Sequence, residues 1–297
     1  MTQPLVTIGI PTFSRPELLK RALSCVAKQN YKNIEVIVSD NCTPGTAVQE
    51  VVDSFKEKIK NLSFKKHSEN IGGVKNIFSL LDVAHGTYFM WLADDDEISF
   101  NYVSSLVAIL EKSSDAVTAA GHWFLMTDKS KGMLVKTSNF PQESSLFRVI
   151  SFIWKSDDAF FYGLHRTSAI KKATFPGYMW PNKNNYLNWA YILLFDMVLA
   201  GRVLITSDRS VQFINHDYSS KLYLQNKKPN ISIVINHIFR RINVHYLYLL
   251  KTIKFFGTWM IFPASIFLMV ALCREFGLLF LKNILDKFMR IFLIRSS

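Results

Sequence analysis

Short apolar segments alternate with longer amphipathic ones through the first 110 residues, and this alternation limits the fold more than any other feature. Strands are expected at 5–10, 34–39, 61–64 and 87–92, and helices at 18–27, 46–60, 73–83 and 100–112. Strands separated by helices pair in parallel, and the helices cover both faces of the sheet. The sequence therefore predicts an α/β fold with a mostly parallel sheet between helices. Ligands of such sheets bind at the carboxyl ends of the strands.

The pattern is more mixed beyond residue 100. Strand-like segments at 116–126 and 133–137 precede expected helices at 146–155 and 186–200. Near the start of the chain, Ser14 and Glu17 have the spacing of a capping box around Pro16, a residue favoured in a first helical turn.

Four consecutive acids, Asp94 to Glu97, follow the apolar strand expected at 87–92. Carboxylates gathered at a sheet edge repel one another, and a divalent cation is a common way to offset that repulsion. Hard oxygen ligands suit Mg²⁺ or Mn²⁺. The alternative is a solvated acidic turn before the next helix, where acids interact well with the helix dipole.

Four blocks of sequence resemble family-2 glycosyltransferases in content, order and spacing. They are Val-Thr-Ile-Gly-Ile-Pro-Thr-Phe-Ser-Arg at 6–15, Val-Ile-Val-Ser-Asp-Asn at 36–41, Glu-Asn-Ile-Gly-Gly at 69–73, and the acidic run at 94–96. The resemblance covers about residues 4–220 and is most specific over the first 100.

This resemblance implies a GT-A fold, a nucleotide-diphosphate-sugar donor and a divalent metal ion, Mn²⁺ or Mg²⁺. The acidic run corresponds to the metal site of the family, and Asp40 to the residue that accepts a hydrogen bond from the base. The implied nucleotide-sugar site contains Pro11, Thr12, Phe13, Arg15, Asp40, Asn41, Asn76, Asp94 and Asp95. The implied metal ligands are Asp94, Asp96 and His216, although the sequence does not fix which acid touches the ion.

Two later segments also resemble the family. Residues 161–166, which include His165, resemble a strand beside the acceptor pocket. Residues 216–221 resemble the closing segment, in which a histidine such as His216 completes the metal shell.

The general base is the point where the chain departs from the family pattern. An acidic pair normally precedes the helix expected at 186–200, yet residues 182–188 contain four asparagines and no acid. The remaining candidates are Asp158, which we favour, Asp157, and Asp196. A position in the middle of a helix makes Asp196 more typical of a structural residue.

The resemblance further implies inversion at the anomeric carbon by a single displacement. No Gln-x-x-Arg-Trp segment of the processive synthases is present, which predicts the transfer of one sugar per acceptor.

The net charge of +12 is concentrated near the end of the chain. Residues 231–297 contain nine basic and two acidic residues, and residues 255–273 contain no charge. Polar residues at 282, 283, 286, 287 and 290 form one narrow face of an otherwise apolar helix. The sequence therefore predicts a catalytic domain at 1–222 and a helical tail at 223–297 that associates with an anionic membrane.

The tail leaves alternatives open. Residues 255–273 are barely long enough for one membrane span. The alternative to membrane association is an ordinary pair of helices that face the protein core. Basic residues that lie among apolar ones, and not along an aromatic-lined groove, argue against a nucleic-acid partner.

Cellular context follows from weaker signals. Three scattered cysteines and an N-terminus without a signal-peptide pattern favour the cytoplasmic face of a bacterial inner membrane. The expected acceptor is then a glycan, most plausibly a lipid-linked oligosaccharide. Alternatives are a polyprenyl-phosphate glycosyl synthase, a catalytically inactive nucleotide-sugar or glycan-binding protein, and a structural protein of the membrane surface.

Overall fold

The computed structural model describes residues 3–128, 131–135, 137–155, 157–173, 189–216 and 231–274. The chain divides into two units, Met1–Gln225 and Asn226–Ser297.

The first unit is built on β-strands. The described strands are β1 (Val6–Thr12), β2 (Ile34–Asp40), β3 (Asn61–Lys66), β4 (Tyr88–Trp91), β5 (Glu97–Ile98), β6 (Ala116–Ala120), β7 (His122–Asp128), β8 (Lys131–Val135), β9 (Leu164–Arg166), β10 (Arg202–Ile205) and β11 (Gln212–His216). Seven of them form a central sheet in the order β10-β6-β9-β4-β1-β2-β3. Neighbouring strands are parallel except at β9, which is antiparallel to both β4 and β6. The mostly parallel sheet predicted from the alternation is confirmed.

Helices follow most strands of this sheet. They are α1 (Pro16–Ala27), α2 (Ala47–Asp53), α3 (Gly73–Asp82), α4 (Tyr102–Lys112), α5 (Ser145–Lys155), α6 (Thr167–Ile170) and α7 (Trp189–Ala200), with a 3-10 helix at Ala159–Tyr162. Helix α2 is shorter than the expected 46–60, because a series of turns after Asp53 brings Phe55 and Ile59 into the core.

A second sheet of four strands, β5-β11-β7-β8, extends the first unit. The single strand expected at 116–126 is in fact two strands, β6 in the large sheet and β7 in the small one. The change of sheet occurs at Gly121, where a Cβ atom would lie 2.5 Å from Cε2 of Tyr102 and 2.6 Å from the carbonyl oxygen of Val211.

The capping-box prediction at the start of α1 is wrong. Arg15 is the N-cap residue, and no side chain caps the helix. Ser14 has a φ of 55° and its backbone N–H donates to Oγ1 of Thr43 at 2.8 Å, so the local chain conformation is set by the neighbouring loop.

The core between β1, β2 and α1 fixes the strand ends that matter for the site. Ile8 and Ile10 of β1 and Leu19 and Leu23 of α1 are completely buried. Burying a side chain of this size contributes about 1.5–3 kcal/mol. The carboxyl ends of β1 and β2 are therefore held in a rigid layer.

The second unit contains α8 (Ile231–Phe256), a 3-10 turn at Thr258–Met260, and a further helical stretch at 261–274. The segment 255–273 is not one continuous helix, because α8 ends at Phe256 and Gly257 has a φ of 101°. Among the helices the structure describes, none is both long and apolar enough to span a bilayer. The polar face expected at 282–290 lies outside the described residues.

Candidate active site

The carboxyl ends of β1, β2 and β4 meet at one edge of the large sheet, as expected from their parallel pairing. Thr12 and Asp40 are opposite each other in the register of β1 and β2, and the N–H of Asn41 donates to the carbonyl of Thr12 at 3.0 Å. The Thr12 hydroxyl donates to Oδ2 of Asp94 at 2.7 Å. Residues from three of the four segments that resemble the family thus meet at the end of β1.

Asp40 at the end of β2 is buried, with 1% of its surface exposed. Its Oδ1 accepts hydrogen bonds from the backbone N–H of Thr43, at 3.0 Å, and from the Thr43 hydroxyl. Its Oδ2 is equally buried and has no hydrogen-bond partner in the described part of the chain. Because a buried polar atom without a partner is costly, this oxygen is suited to accept a hydrogen bond from a ligand.

Asn41 organises the loop that follows β3. Its Nδ2 donates to Oδ1 of Asn70 at 2.8 Å, and its Oδ1 accepts from the N–H of Ile71 at 2.9 Å. Gly72, with a φ of 84°, then turns the chain into α3. Asn41 therefore shapes the wall of the site through this loop.

Asn76 does not present its amide to the site. Its Oδ1 accepts from the Ser39 hydroxyl at 2.6 Å and its Nδ2 donates to the Ser39 carbonyl at 3.0 Å, and the residue is 2% exposed. The structure gives it a supporting position beneath the end of β2, which differs from the expected contact with the nucleotide.

The acidic run lies just beyond β4, and two of its members are buried. Asp94 and Asp96 are 5% and 2% exposed. Burial raises the pKa of Asp94 above its usual value and that of Asp96 to about 7, and the charge of Asp95 adds to both shifts. The interpretation as a fully solvated acidic turn is therefore wrong for these two residues.

Two arginines of the α1 region partly neutralise the acids. Nη1 of Arg15 lies 3.3 Å from Oδ1 of Asp94 and 3.1 Å from Oδ2 of Asp95. Nε of Arg21 lies 3.3 Å from Oε1 of Glu97, and its Nη2 donates to the Asp95 carbonyl. Repulsion between the carboxylates is thus reduced by the protein itself, so charge repulsion alone does not require a cation here.

Strand β11 brings His216 to the acidic run from more than a hundred residues away. Its backbone N–H and Nδ2 of Asn215 both donate to Oδ1 of Asp96, at 3.1 and 3.0 Å. Its ring Nε2 lies 2.8 Å from Oε1 of Glu97. His216 therefore lies beside the acids as expected, with its ring directed to Glu97.

The metal site itself stays a prediction. Within the described ranges, no group of three or more His, Cys, Asp or Glu side chains is arranged to hold a metal ion.

The two favoured candidates for the general base differ in their surroundings. Oδ2 of Asp157 accepts from the N–H of Ser138 at 2.5 Å and Oδ1 accepts from the N–H of Ala159 at 2.9 Å, which is a structural arrangement. Asp158 begins the 3-10 helix at Ala159–Tyr162. The third candidate, Asp196, lies in the middle of α7, as its helical context predicted.

Tyr162 lies close enough to both Asp158 and the acidic run to be affected by their charges. Burial raises the pKa of the Tyr162 hydroxyl, and the negative charges of Asp96, Asp95, Asp158 and Asp94 raise it further. The ring of Tyr162 stacks on Phe213 at 4.5 Å between centroids. Asp158 and the acids after β4 therefore act on the same hydroxyl group.

His165 has the surroundings of a structural residue. It is completely buried, its Nδ1 lies 2.9 Å from the Thr118 hydroxyl, and its Nε2 lies 3.0 Å from the Phe161 carbonyl. Burial lowers its pKa to about 4, so the ring is neutral at physiological pH.

Two of the remaining expected residues lie at the surface of the site. Phe13 is 42% exposed and Pro11 is half-buried. The asparagine-rich stretch at 182–188 and the segment 217–221 lie outside the described residues.

The sequence analysis included Glu97 in the acidic run and Tyr162 in the segment 161–166, but it assigned no individual role to either residue. Glu97 is adjacent to the predicted acids, and its position as the fourth acid was the available signal. Nothing local marks Tyr162, because its importance depends on β11 and the acidic run meeting it in space.

Comparison with known proteins gives a consistent result. Residues 7–172 match the sequence model of glycosyl transferase family 2. The GalNAc(5)-diNAcBac-PP-undecaprenol beta-1,3-glucosyltransferase of Campylobacter jejuni is 32% identical over 106 residues, which are 35% of this chain and 34% of that protein. The abequosyltransferase of Salmonella typhimurium is 28% identical over 115 residues, 37% of this chain and 34% of that protein. The matched region thus spans about a third of the length of each relative.

Similarity to a solved structure extends over more of the chain. The crystal structure of S. aureus TarS 1-349 in complex with UDP-GlcNAc covers 92% of this chain and 73% of its own, with a TM-score of 0.63 and 17% sequence identity. At this level of identity the similarity concerns the fold.

Proposed function

Because this chain belongs to glycosyl transferase family 2, we propose that it transfers one sugar from a nucleotide-diphosphate-sugar to a hydroxyl group of a glycan. The GT-A fold expected from the sequence is confirmed by the mostly parallel sheet and by the likeness to TarS. The reaction and its substrates are the proposal.

The buried Oδ2 of Asp40 is the observation that carries the proposal. It lies at the carboxyl end of β2, next to Thr12, where ligands of such sheets bind. An N–H of the nucleotide base would supply the hydrogen bond that the described chain does not provide. The UDP-GlcNAc complex of TarS supports a nucleotide-sugar ligand for a protein of this fold.

The acidic run fits a divalent cation in its chemistry. The carboxylates of Asp94, Asp95 and Asp96 offer hard oxygen ligands. Burial, with the charge of Asp95 as a smaller cause, raises the pKa values of Asp94 and Asp96, and a cation bound there would favour their ionised forms. We assign these acids, with His216 beside them, as the residues that would hold Mg²⁺ or Mn²⁺. When bound, such an ion would supply positive charge that stabilises the departing diphosphate.

Asp158 is the residue we assign as general base. It acts on the same Tyr162 hydroxyl as the acids of the donor site, whereas both oxygens of Asp157 accept backbone hydrogen bonds. Removal of the acceptor hydroxyl proton by a carboxylate contributes about 10²–10⁴-fold to the rate. A single displacement with this base inverts the anomeric carbon.

A lipid-linked oligosaccharide is the acceptor we propose, within the synthesis of a surface polysaccharide. The name of the Campylobacter relative specifies an undecaprenyl-diphosphate-linked acceptor, which supports this class. The cytoplasmic face of a bacterial membrane is the corresponding location.

Thermal unfolding with candidate nucleotides tests donor binding. We expect one of UDP, dTDP, GDP and CDP, at 100 times its dissociation constant with Mn²⁺, to stabilise the protein by about 2.7 kcal/mol, or roughly 5–10 °C. Asp40→Asn should lose most of this shift, because the variant's amide nitrogen would donate where Oδ2 accepts.

The exposed Asp53, the last residue of α2, pairs with Lys56 and provides the matched control. Asp53→Asn should keep the full shift. If no nucleotide raises the melting temperature, with metal or with chelator, the donor-binding proposal is wrong. Binding of nucleotide without turnover would instead support a catalytically inactive binding protein.

A further inference from the structure

The second unit has two helical segments, each with one buried row of side chains. On α8 the row includes Val244, Tyr248 and Thr252, which are spaced by four residues. On the stretch 261–274 it includes Ala264, Leu268 and Ala271. A single buried row of this kind is the core-facing side of an ordinary amphipathic helix.

The opposite faces are apolar as well, which is unusual for a surface in water. Ile242, Tyr246 and Leu250 of α8 are 44%, 57% and 45% exposed and again spaced by four. Beyond the break at Gly257, Phe262, Ile266 and Met269 are 75%, 45% and 60% exposed.

The break itself adds large side chains to this surface. Phe255 is 54% exposed and Trp259 is 67% exposed. We call the set of exposed side chains at 242, 246, 250, 255, 259, 262, 266 and 269 the apolar face. A helix pair with apolar side chains both inside and outside needs an apolar neighbour for its outer surface.

The charged residues of this part of the chain are all of one sign, and of them Arg241 is buried. Residues 231–274 contain Arg240, Arg241, Lys251, Lys254 and Arg274 and no acid. Lys254 is exposed next to Phe255. Apolar side chains inserted among basic ones complement the acyl chains and anionic headgroups of a phospholipid surface.

We propose that the apolar face docks onto an anionic lipid bilayer, with Trp259 and Phe262 as its anchors. Aromatic side chains with a polar edge favour the interface between headgroups and acyl chains. Lys254 is exposed in the last turn of α8, before the break at Gly257, and would face the headgroups. This proposal concerns the second unit alone and does not depend on the chemistry of the first.

Co-sedimentation of the full-length protein with vesicles tests the docking. Binding is expected with phosphatidylcholine vesicles that contain 30% phosphatidylglycerol, and weakly with phosphatidylcholine alone. Trp259→Ser/Phe262→Ser should lower the partition coefficient at least tenfold, because two large apolar side chains no longer enter the bilayer. Lys254→Gln should lower it about fivefold at low salt.

Phe147 of α5 provides the control, since it is 62% exposed but belongs to the first unit. Phe147→Ser should bind vesicles like the wild type. Equal binding by the Trp259/Phe262 double variant and the wild type would overturn the proposal. So would a dimer of the wild type that the double variant loses, with no vesicle binding, because a second copy would then cover the apolar face.

Quenching by brominated lipids gives a direct readout at Trp259. Vesicles with brominated acyl chains should quench the tryptophan fluorescence of the wild type, and Trp259→Phe should lose most of the quenching while it still sediments. Unchanged quenching in this variant would place another part of the chain in the bilayer. The nucleotide-dependent thermal shift should be the same in all these variants, which separates failure of docking from failure of the catalytic proposal.

Discussion

Asp96 combines burial with a position at the centre of the site, and its titration should be visible in stability. Its pKa is raised from 3.8 to about 7 in the folded protein, so the fold holds a proton that the unfolded chain releases. The free energy of unfolding of the metal-free protein should therefore fall as the pH rises from about 4 to 7, by at most about 1.4 kcal/mol per pH unit.

Asp96→Asn cannot titrate and should lose this part of the slope. Urea unfolding in the presence of a chelator at pH 5, 6 and 7 measures both proteins. Parallel profiles for wild type and variant would contradict the assignment of the shift to Asp96.

Substitution of Asp157 and of Asp158, the two acids before the 3-10 helix, should have different effects on turnover and on stability. Asp158→Asn is expected to reduce turnover by about 10²–10⁴-fold with little change in nucleotide affinity. Asp157→Asn should instead lower stability by about 1–3 kcal/mol, because the backbone N–H groups of Ser138 and Ala159 lose a charged acceptor.

Release of nucleoside diphosphate with a polyprenyl-diphosphate-linked glycan measures the turnover of both variants. If neither substitution slows it tenfold, the general base lies elsewhere.

The Tyr162 hydroxyl is expected to contact the transferred sugar or the acceptor. Burial and the negative charges of four carboxylates raise the pKa of this hydroxyl, so it stays protonated and can donate a hydrogen bond. Tyr162→Phe keeps the ring stacked on Phe213 and should lower kcat/KM about threefold to tenfold, the effect of one neutral hydrogen bond. The affinity for the free nucleoside diphosphate should stay unchanged, and an equal loss there would contradict the prediction.

At the scale of residues, the sequence predicted which strand ends meet, but it did not predict which side chains are buried there. Thr12, Asp40 and Asp94 were expected at one edge because they end parallel strands, and they lie there. Which acids are buried depends on β11, whose Asn215 and His216 enclose Asp96 from far along the chain. Local patterns do not predict this burial, although the family resemblance had already placed His216 beside the acids.

At the scale of elements, Gly121 separates β6 from β7, and its side-chain-free Cα is needed there. Gly121→Ala is expected to destabilise the protein by about 1–3 kcal/mol, because the Cβ would overlap the Tyr102 ring and the Val211 carbonyl. Gly73→Ala is the matched control: nothing lies within 4 Å of its Cβ position. Equilibrium unfolding in urea should show no loss of stability in the control, and an equal loss in both would contradict the steric reason.

The longer a helix or strand is, the better its hydrophobic periodicity predicted it. The strands β1 and β2 and the helix α1 were found close to their expected bounds, because each carries a full apolar pattern. The small sheet was missed, since β5 has only two residues and pairs with β11 across more than a hundred. A segment of two residues is too short to show the alternation of apolar and polar residues that predicts a strand.

At the scale of the whole molecule, the order of strands determines when the sheet is completed. β9 lies between β4 and β6, yet it is made about 75 residues after β4 ends. During synthesis at ~5–20 residues per second, the β4 edge therefore stays unpaired for roughly 4–15 s. An open edge is a template for pairing with another chain. A nascent chain stalled before residue 164 would carry β1, β2 and β4, with their residues of the proposed donor site, on a sheet that still lacks β9 and β10. Insertion of β9 therefore protects this half of the sheet from pairing with another chain.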